Sequence, residues 1–569
     1  MNKLRQLPIT ATTGQGGIRT ALTALALMAS LPALADSGSA APAPVPAALA
    51  ASNTATVSST LATSTAPGAA VATPAPAAAV KPPEPPKVRV VYLNDSDRAR
   101  IVAELKQDVL QTAKDDNWAQ PNTFPDWVSR IRFSGDIMMR GEADLFDKNN
   151  SNQILNFQAM NSKGPTNITL PASGQPLSLP FLNTTEDRYL PRLRVHIGMF
   201  AQVSDNMEAL FRFATGNTTN PGTSTVTVGS DFAKQNFLLD RAYMNYRPSD
   251  SSAIALGRMG NPWSTPTDMI WSKEMAFDGL ALQYHPQLSK STALIATAGA
   301  FSVLSTDPNF PADGVDKAGT HGDWLYAAQL GFDWTGSDRT DARLTAAYYD
   351  FDNIQSSLSA PCYAPTTAVS CNTDETVPAF MQKGNTLFAV RDLQVVNSTD
   401  PHYQYFGLAS KFHVLDINGT LDTVLRGPLH LAFDADFADN LAFSRKNIEA
   451  LGPVNNFGSC PASNTSCSNY QGGGRGEQVQ LRVGYPKVSE RGQWSAVVGY
   501  RDIQSDATVD AFNDQDFHQG GTNAKGYFIG GSLGFTHNAW VTARWLSATE
   551  DSGPPLAIDV LQIDVNARF

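Results

Sequence analysis

Cysteine is scarce, with four in 569 residues, too few for a disulfide scaffold. Charged residues are also sparse at 17%, and they tilt to acid, for a net charge of −11. Such a chain lacks the basic face that phosphate neutralisation needs, which excludes nucleic acid as a general partner. Long apolar runs are missing too. Mean hydropathy is −0.22, and apart from one short N-terminal run no stretch of about 20 apolar residues exists, which excludes a helical membrane protein. A β-barrel survives this test, because its strands are apolar on one face only. Metal-site and phosphate-loop motifs are absent as well. The eight histidines are scattered without an HExxH pair, and Gly472 to Gly476 lacks the helix and Lys-Ser/Thr of a phosphate loop. That glycine run reads as a flexible loop before a strand. Asp514, Asp516 and His518 alternate; a solvated loop is the plain reading, cation contact the sharper one. No cofactor and no metal are expected.

The N-terminus carries Lys3, Arg5 and Arg19, then an apolar run from Ala21 to Leu31, then Ala33-Leu34-Ala35. This is the pattern of an export signal, residues 1–35, cleaved after Ala35. Residues 36–92 are almost entirely Ala, Pro, Ser, Thr and Val in their first part and include Pro82, Pro83, Pro85 and Pro86. That composition buries too little apolar area to offset chain entropy and predicts a disordered linker. Residues 93–120 predict one helix: Asn94, Asp95 or Ser96 can cap it, and Val102, Leu105 and Val109 recur at helical spacing. It is either an amphipathic helix at the rim of the folded part or a short coiled coil. Pro121 and Pro125 end it.

From Trp127 onward the period is two. Ile131, Phe133, Ile137, Met139, Ala143 and Leu145 share one face; Arg130, Arg132, Ser134, Asp136, Arg140, Glu142 and Asp144 share the other. About five or six residues is usual for a globular strand, and this run is far longer. One greasy face and one densely charged face suit a barrel with lipid outside and water inside. The pattern repeats. Tyr189, Leu193, Val195 and Ile197 alternate with Arg188, Arg192, Arg194 and His196; Phe211 and Phe213 flank Arg212; Leu344 and Ala346 follow Arg343; Phe433 and Ala435 alternate with Asp434 and Asp436; Leu481 and Val483 flank Arg482. The fold class is therefore all-β: a transmembrane antiparallel β-barrel over residues 127–569. About sixteen strands are counted, or eighteen if part of 385–399 is strand.

Short connections lie near 204–206, 248–251, 286–290, 335–340, 486–492 and 537–539, and long ones near 147–187, 217–236, 352–402 and 440–476. Segregation of loop length between two rims is a barrel property. Tyr189, Phe213, Tyr246, Trp263, Tyr284, Trp324, Trp334, Tyr500, Trp540 and Phe569 stand near strand ends and form a candidate aromatic girdle. Cys362 with Cys371, and Cys460 with Cys467, fall in long loops and pair as loop disulfides in an oxidising compartment.

The charges facing the lumen are the candidate functional residues. Arg130, Arg132, Arg140, Arg188, Arg192, Arg194, Arg212, Arg241, Arg258, Arg343, Arg482, Arg501, Arg544 and Arg568 are assigned inward, with Asp136, Glu142, Asp144, Glu208, Asp434, Asp436 and Asp564. Rings of one sign select ions of the other. Arginine exceeds acid in this set, so the pore either leans to anions or holds mutually paired charges with no net preference. The last strand places Leu561, Ile563, Val565, Ala567 and Phe569 on one face, and this ending resembles the signal that the outer-membrane barrel assembly machinery recognises.

The segments AKDDNWAQPNTFPDWVSRIRFSGD (Ala113 to Asp136), DRAYMNY (Asp240 to Tyr246), GRMGNPW (Gly257 to Trp263) and ARWLSA (Ala543 to Ala548) resemble the bacterial putative-porin family. The likeness covers nearly everything after about residue 95. It implies outer-membrane barrels with an N-terminal periplasmic helix and passive channel activity, and it carries no substrate class. By analogy with porins, the loop after Gly257 to Met259, through Trp263 to Glu274, is the candidate constriction, carrying Asp268, Lys273 and Glu274. The expected protein is a porin of a Gram-negative outer membrane that passes small hydrophilic solutes or ions by diffusion. Its expected partners are outer-membrane lipid, the assembly machinery, two further copies in a homotrimer, and the cell wall through linker and helix. The alternative is a non-conducting structural or adhesive barrel tethered to the cell wall; a barrel enzyme is the third reading.

Overall fold

The computed structural model describes residues 130–569 except 170–177, 312–314, 316, 318, 320–321, 337–338, 398–399 and 459–468, together with residues 102, 106, 107 and 128. The expected signal peptide, the linker, most of the helix at 93–120 and the pair Cys460 and Cys467 lie outside the described residues.

Alternating sequences build long antiparallel strands. In chain order they are β1 (Ile131–Phe146), β2 (Arg188–Ser204), β3 (Met207–Thr215), β4 (Phe237–Ser249), β5 (Ser252–Gly260), β6 (Ala276–Tyr284), β7 (Thr292–Leu304) and β8 (Asp323–Thr335). Then follow β9 (Thr340–Asp352), β10 (Phe412–Arg426), β11 (Leu429–Asn440), β12 (Arg475–Gly484), β13 (Trp494–Ile503), β14 (Ala524–Thr536), β15 (Ala539–Glu550) and β16 (Ala557–Arg568). Each pairs with its neighbours in sequence, and β1 pairs with both β2 and β16, from Asp136 opposite Arg568 to Phe146 opposite Ile558. The result is a closed sixteen-strand barrel, and closure removes the unpaired edges that an open sheet would expose. Two short segments, Val226–Thr227 and Gln287–Ser289, add to the same sheet.

The seam is finished by the last residue. Phe569 N donates to Gly135 O at 3.0 Å and Gly135 N donates to Phe569 O at 3.0 Å. A Cβ on Gly135 would stand 2.4 Å from Cζ of the Phe569 ring, so only glycine lets the ring lie over the first strand there.

Eighteen strands are not reached. Leu387–Ala389 pairs with Phe406–Leu408 inside a long loop rather than with the wall, because residues 385–391 are packed among other loop residues. Loop lengths segregate between the rims. One rim carries the connections at 205–206, 250–251, 285–291, 336–339, 427–428, 485–493 and 537–538, and the other carries the long loops. Two short helices interrupt those loops: α1 (Phe157–Asn161), where Asn156 Oδ1 accepts the Ala159 N–H at 2.9 Å, and α2 (Arg445–Leu451), stopped by Gly452 at φ 70°. Cys362 and Cys371 are joined by a disulfide with a Cα separation of 6.0 Å in the loop at 353–411.

The outward face is apolar, as Phe133, Met139, Leu330 and Leu344 show, each more than 60% exposed. Tyr189, Phe213, Tyr246, Tyr284, Trp324, Trp334 and Phe569 stand exposed on it. Tyr500 shares this face but is half-buried, 5.1 Å from the exposed Tyr527, and two expected girdle members leave it. Trp263 is buried inside the barrel against Phe301 and Tyr349. Trp540 sits opposite Asn566 and under the Arg568 guanidinium at 5.2 Å, because its position on β15 shares parity with the inward Arg544.

Candidate functional site

Half of the lumen wall is charged and half is apolar. On β5 to β10 polar residues such as Thr297, Gln329 and Thr345 also face inward, but the inward positions nearest the long-loop rim are Met259, Phe277, Phe301, Leu325, Tyr349 and Phe412, all buried. They are apolar because the loop at 261–275 turns into the barrel and packs on them. Asn261 Oδ1 accepts the Trp263 N–H at 2.9 Å and starts the turn. Trp263 then stacks edge-on to Phe301 and Tyr349, while Trp271 meets Phe277 at 4.9 Å and Tyr349 at 5.2 Å. Met269, Ile270 and Trp271 are at most 2% exposed. Edge-to-face contacts of this kind add about 0.5–1.5 kcal/mol each beyond the area buried.

Polar anchors from widely separated strands fix the same loop. Gln329 on β8 grips the Ser264 backbone, and Thr267 Oγ1 donates to Asp436 on β11. Asp268 accepts from Arg501 on β13, and Ser272 Oγ donates to Gly222 O at 2.6 Å. Glu274 reaches Arg194 Nη1 on β2 at 2.9 Å. A loop held by β2, β8, β11 and β13 crosses the lumen.

A second loop, 504–523, meets it there. Ser272 N donates to Phe512 O at 2.8 Å, and Asp514 N donates to Asp268 O at 3.2 Å. Arg501 Nη1 donates to Asp514 at 3.2 Å and its guanidinium lies over the Phe517 ring at 4.9 Å. Asp516 is gripped by Arg140 Nη1 at 2.8 Å and by Arg544. The expected solvated loop at Asp514, Asp516 and His518 is thus a buried one. It enters the barrel because its acids find wall arginines. Lys383 Nζ donates to His518 Nδ1 at 2.7 Å, leaving the ring proton on Nε2 to donate to Leu556 O at 3.0 Å. Burial and the adjacent Lys383 cation push the His518 pKa well below its ordinary value.

Electrostatics in the two loops follow their partners. Burial alone would raise Asp268, but Lys273, Arg501 and Arg544 outweigh it and hold the carboxyl at about 2. Glu274 is likewise held at about 2 against burial, by His196, Arg194 and Arg212. Asp514 goes up, from burial and from the neighbouring Asp268. Burial pushes Asp510 up to about 7.

The expected constriction residues therefore lie where two loops and the wall converge. Asp268 and Glu274 point to wall arginines. Lys273 stays open, its side chain 77% exposed, 3.4 Å from Asp268. Most wall charges hold the expected parity. Asp136, Arg140, Glu142, Arg192 and Arg194 turn inward on β1 and β2, where Arg192 pairs with Glu142 at 2.9 Å and Arg140 with Asp564 at 2.7 Å. Arg212 pairs with Asp240 on β4, and Arg241 lies beside them. Arg343 holds Asp333 at 2.6 Å, and Arg482 holds the fully buried Asp434 at 2.6 Å. Arg132 stacks on Phe200 at 4.4 Å. Arg130 precedes β1, and Arg188 is exposed at the first residue of β2.

Arg258 breaks the expectation. It sits opposite Asp278, which shares parity with the outward Leu280, and it is two residues from the outward Leu256. Its side chain leaves the lumen and pairs with Asp278 on the outer face near the long-loop rim. Mutual pairing lets both charges tolerate that position.

Below the crossing, an open cleft lies toward the short-turn rim, about 1060 Å³ with open solvent included; Lys273, Arg482, Arg501, Asp514 and Arg544 line it. Charge alternation in sequence missed Asp514 and Asp516 as wall partners, and it missed Gln329. One signal was present: β7 and β8 are apolar at both parities, which marks a wall filled from inside.

A family profile described as "Putative porin" matches residues 45–569. No curated protein is significantly similar to the chain. Among solved structures, the outer membrane channel DcaP of Acinetobacter baumannii is similar at 11% identity and TM-score 0.35, covering 77% of this chain and 97% of that one. OprB of Pseudomonas putida is similar at 11% identity and TM-score 0.40, covering 78% and 95%. OmpF of Salmonella typhi is similar at 10% identity and TM-score 0.35, covering 77% and 97%.

Proposed function

Because the chain belongs to the putative-porin family, we propose that it is an outer-membrane porin that passes small hydrophilic solutes or ions by diffusion, a channel rather than an enzyme. The observation that carries this reading is the inward loop at 261–275, which narrows the lumen, presents Asp268 and Glu274 to wall arginines and leaves Lys273 open beside Asp268. A loop that served only to cover the barrel would not need charges aimed across the open side. The passage runs along the charged half, between β11 and β4 around the seam, because aromatic packing fills the other half. Facing charges of opposite sign set up a transverse field there, which orders polar solutes and excludes apolar ones.

Ion preference rests on what the pairs leave over. Loop acids neutralise Arg140, Arg194, Arg501 and Arg544, so the anion lean comes from Lys273, Arg192 and Arg482, each paired with one acid but still partly open to the lumen. The signal peptide cleaved after Ala35, the cell-wall contact of linker and helix, the recognition of Phe569 by the assembly machinery and a trimeric state complete the proposal.

One observation favours the alternative of a non-conducting structural barrel. The two loops meet through backbone hydrogen bonds and a buried aromatic cluster, an arrangement that suits a plug. Liposome swelling separates the two. Purified protein in vesicles should admit small sugars and amino acids with rates that fall with solute size. Swelling no faster than in protein-free vesicles would leave the structural reading.

A further inference from the structure

The acid at the end of the inward loop occupies a site larger than it needs. Glu274 Oε1 takes a hydrogen bond from Arg194 Nη1 at 2.9 Å. Its Oε2 takes one from Ser224 Oγ at 3.1 Å and lies 3.1 Å from His196 Nε2 and 3.9 Å from Arg212 Nη2. Two oxygens of one planar group are thus addressed by separate donors. The donor set is not exhausted: among the described residues Arg194 Nε, Arg212 Nη2 and Arg241 Nε are buried without a hydrogen-bond acceptor. Asp136 and Asp240 take other edges of the same side chains, Asp136 from Arg194 and His196, Asp240 from Arg212 and Arg241. The site opens to the lumen, with Arg194 24% and Glu274 17% exposed.

From this geometry we infer that the nest of Arg194, His196, Arg212 and Ser224 is a carboxylate-binding subsite of the passage, in which Glu274 stands in for a small carboxylate solute. This rests on the channel reading above and names a solute class for it. Glu274 belongs to a loop, whereas the four donors belong to or lie beside the wall. A solute carboxylate can therefore take the two-oxygen position while the loop end swings aside, and the loop carboxylate returns when the solute leaves. The exchange keeps the buried guanidinium groups paired throughout, so neither state leaves an uncompensated cation. An internal competitor also keeps the affinity low, as passage requires: a site that bound tightly would trap its solute.

The test compares full-length wild type with Glu274→Gln and with Glu274→Gln/Arg194→Gln. Two readouts are used: succinate binding by titration calorimetry in detergent, and succinate-dependent interruption of chloride current in planar bilayers. Removing the competitor should tighten succinate binding about tenfold or more over wild type, and should bring current interruptions at millimolar succinate. The double variant should lose both. A Glu274→Gln protein that binds succinate no better than wild type overturns the inference, as does equal response to succinate and sulfate, which would make the nest a general anion site. Binding without any current supports the subsite and removes the channel reading; current without binding removes the subsite alone.

Discussion

Gln329 holds the backbone of Ser264 on both sides. Its Oε1 accepts the Ser264 N–H at 2.8 Å, and its Nε2 donates to the Ser264 carbonyl at 3.0 Å. A wall side chain thus acts as one rung of a β-ladder for a loop that has left the sheet. Gln329 is 1% exposed, so water does not replace it. Gln329→Leu should leave the half-buried Ser264 N–H unpaired and its carbonyl with only the long contact from Thr345 Oγ1 at 3.5 Å, at a cost of about 1–3 kcal/mol. The expected result is a folded barrel with a looser loop, read as greater open-channel current noise than wild type.

Trp271 is the keystone of the apolar half, in contact with Phe277, Tyr349, Phe351 and Phe512. Trp271→Ala should cost about 3–5 kcal/mol locally. Because the wall is an independent hydrogen-bonded sheet, the barrel should persist while the lumen widens. Single-channel conductance should rise, and larger sugars should enter vesicles.

Acid should release the loop end through Glu274. Burial raises this carboxyl, but His196, Arg194 and Arg212 more than offset that and hold it at about 2, below its ordinary 4.5. A depressed carboxylate stabilises the folded arrangement fully above about 4.5, and that contribution fades as pH falls toward 2. Current noise should therefore grow as pH is lowered through this window. Glu274→Gln should show higher noise than wild type at neutral pH and a smaller step on acidification, the remainder coming from Asp268, which is also held at about 2.

The seam predicts a closure defect. Gly135→Val places a side chain where the Phe569 ring and the His196 carbonyl lie, at 2.4 and 2.7 Å from even a Cβ. Heat-modifiable migration on gels should then shift toward lower melting temperature than wild type, and a Phe569→Ala partner change should restore part of the loss by making room.

Much of this architecture could be read from residue order, for a physical reason. Strand faces separate lipid from the interior, so period two in Ile131 to Phe146 survives into the fold without change. Rim assignment follows from loop length, except for the short connection at 551–556 on the long-loop rim. What stayed hidden depends on residues distant in sequence. Phe301 and Tyr349 look like ordinary strand apolar residues until Trp263 and Trp271 are brought against them. The loop at 261–275 was legible as a charged segment after an early strand, but the partners of Asp268 and Glu274 were not, since Arg501 and Arg194 are 233 and 80 residues away. Asp514 and Asp516 look like solvated loop acids locally; only the arginines of β1, β13 and β15 draw them in. Arg258 shows the opposite error, an inward assignment where the parity of Leu256 on the same strand points outward.

Single-channel recording in a planar bilayer bears on the central claim most directly. The account predicts stepwise, ohmic conductance from the wild-type protein, with larger steps from Trp271→Ala at the same salt. Persistent silence from both proteins across voltages, with the barrel intact by circular dichroism, would contradict it and leave a closed structural barrel in its place.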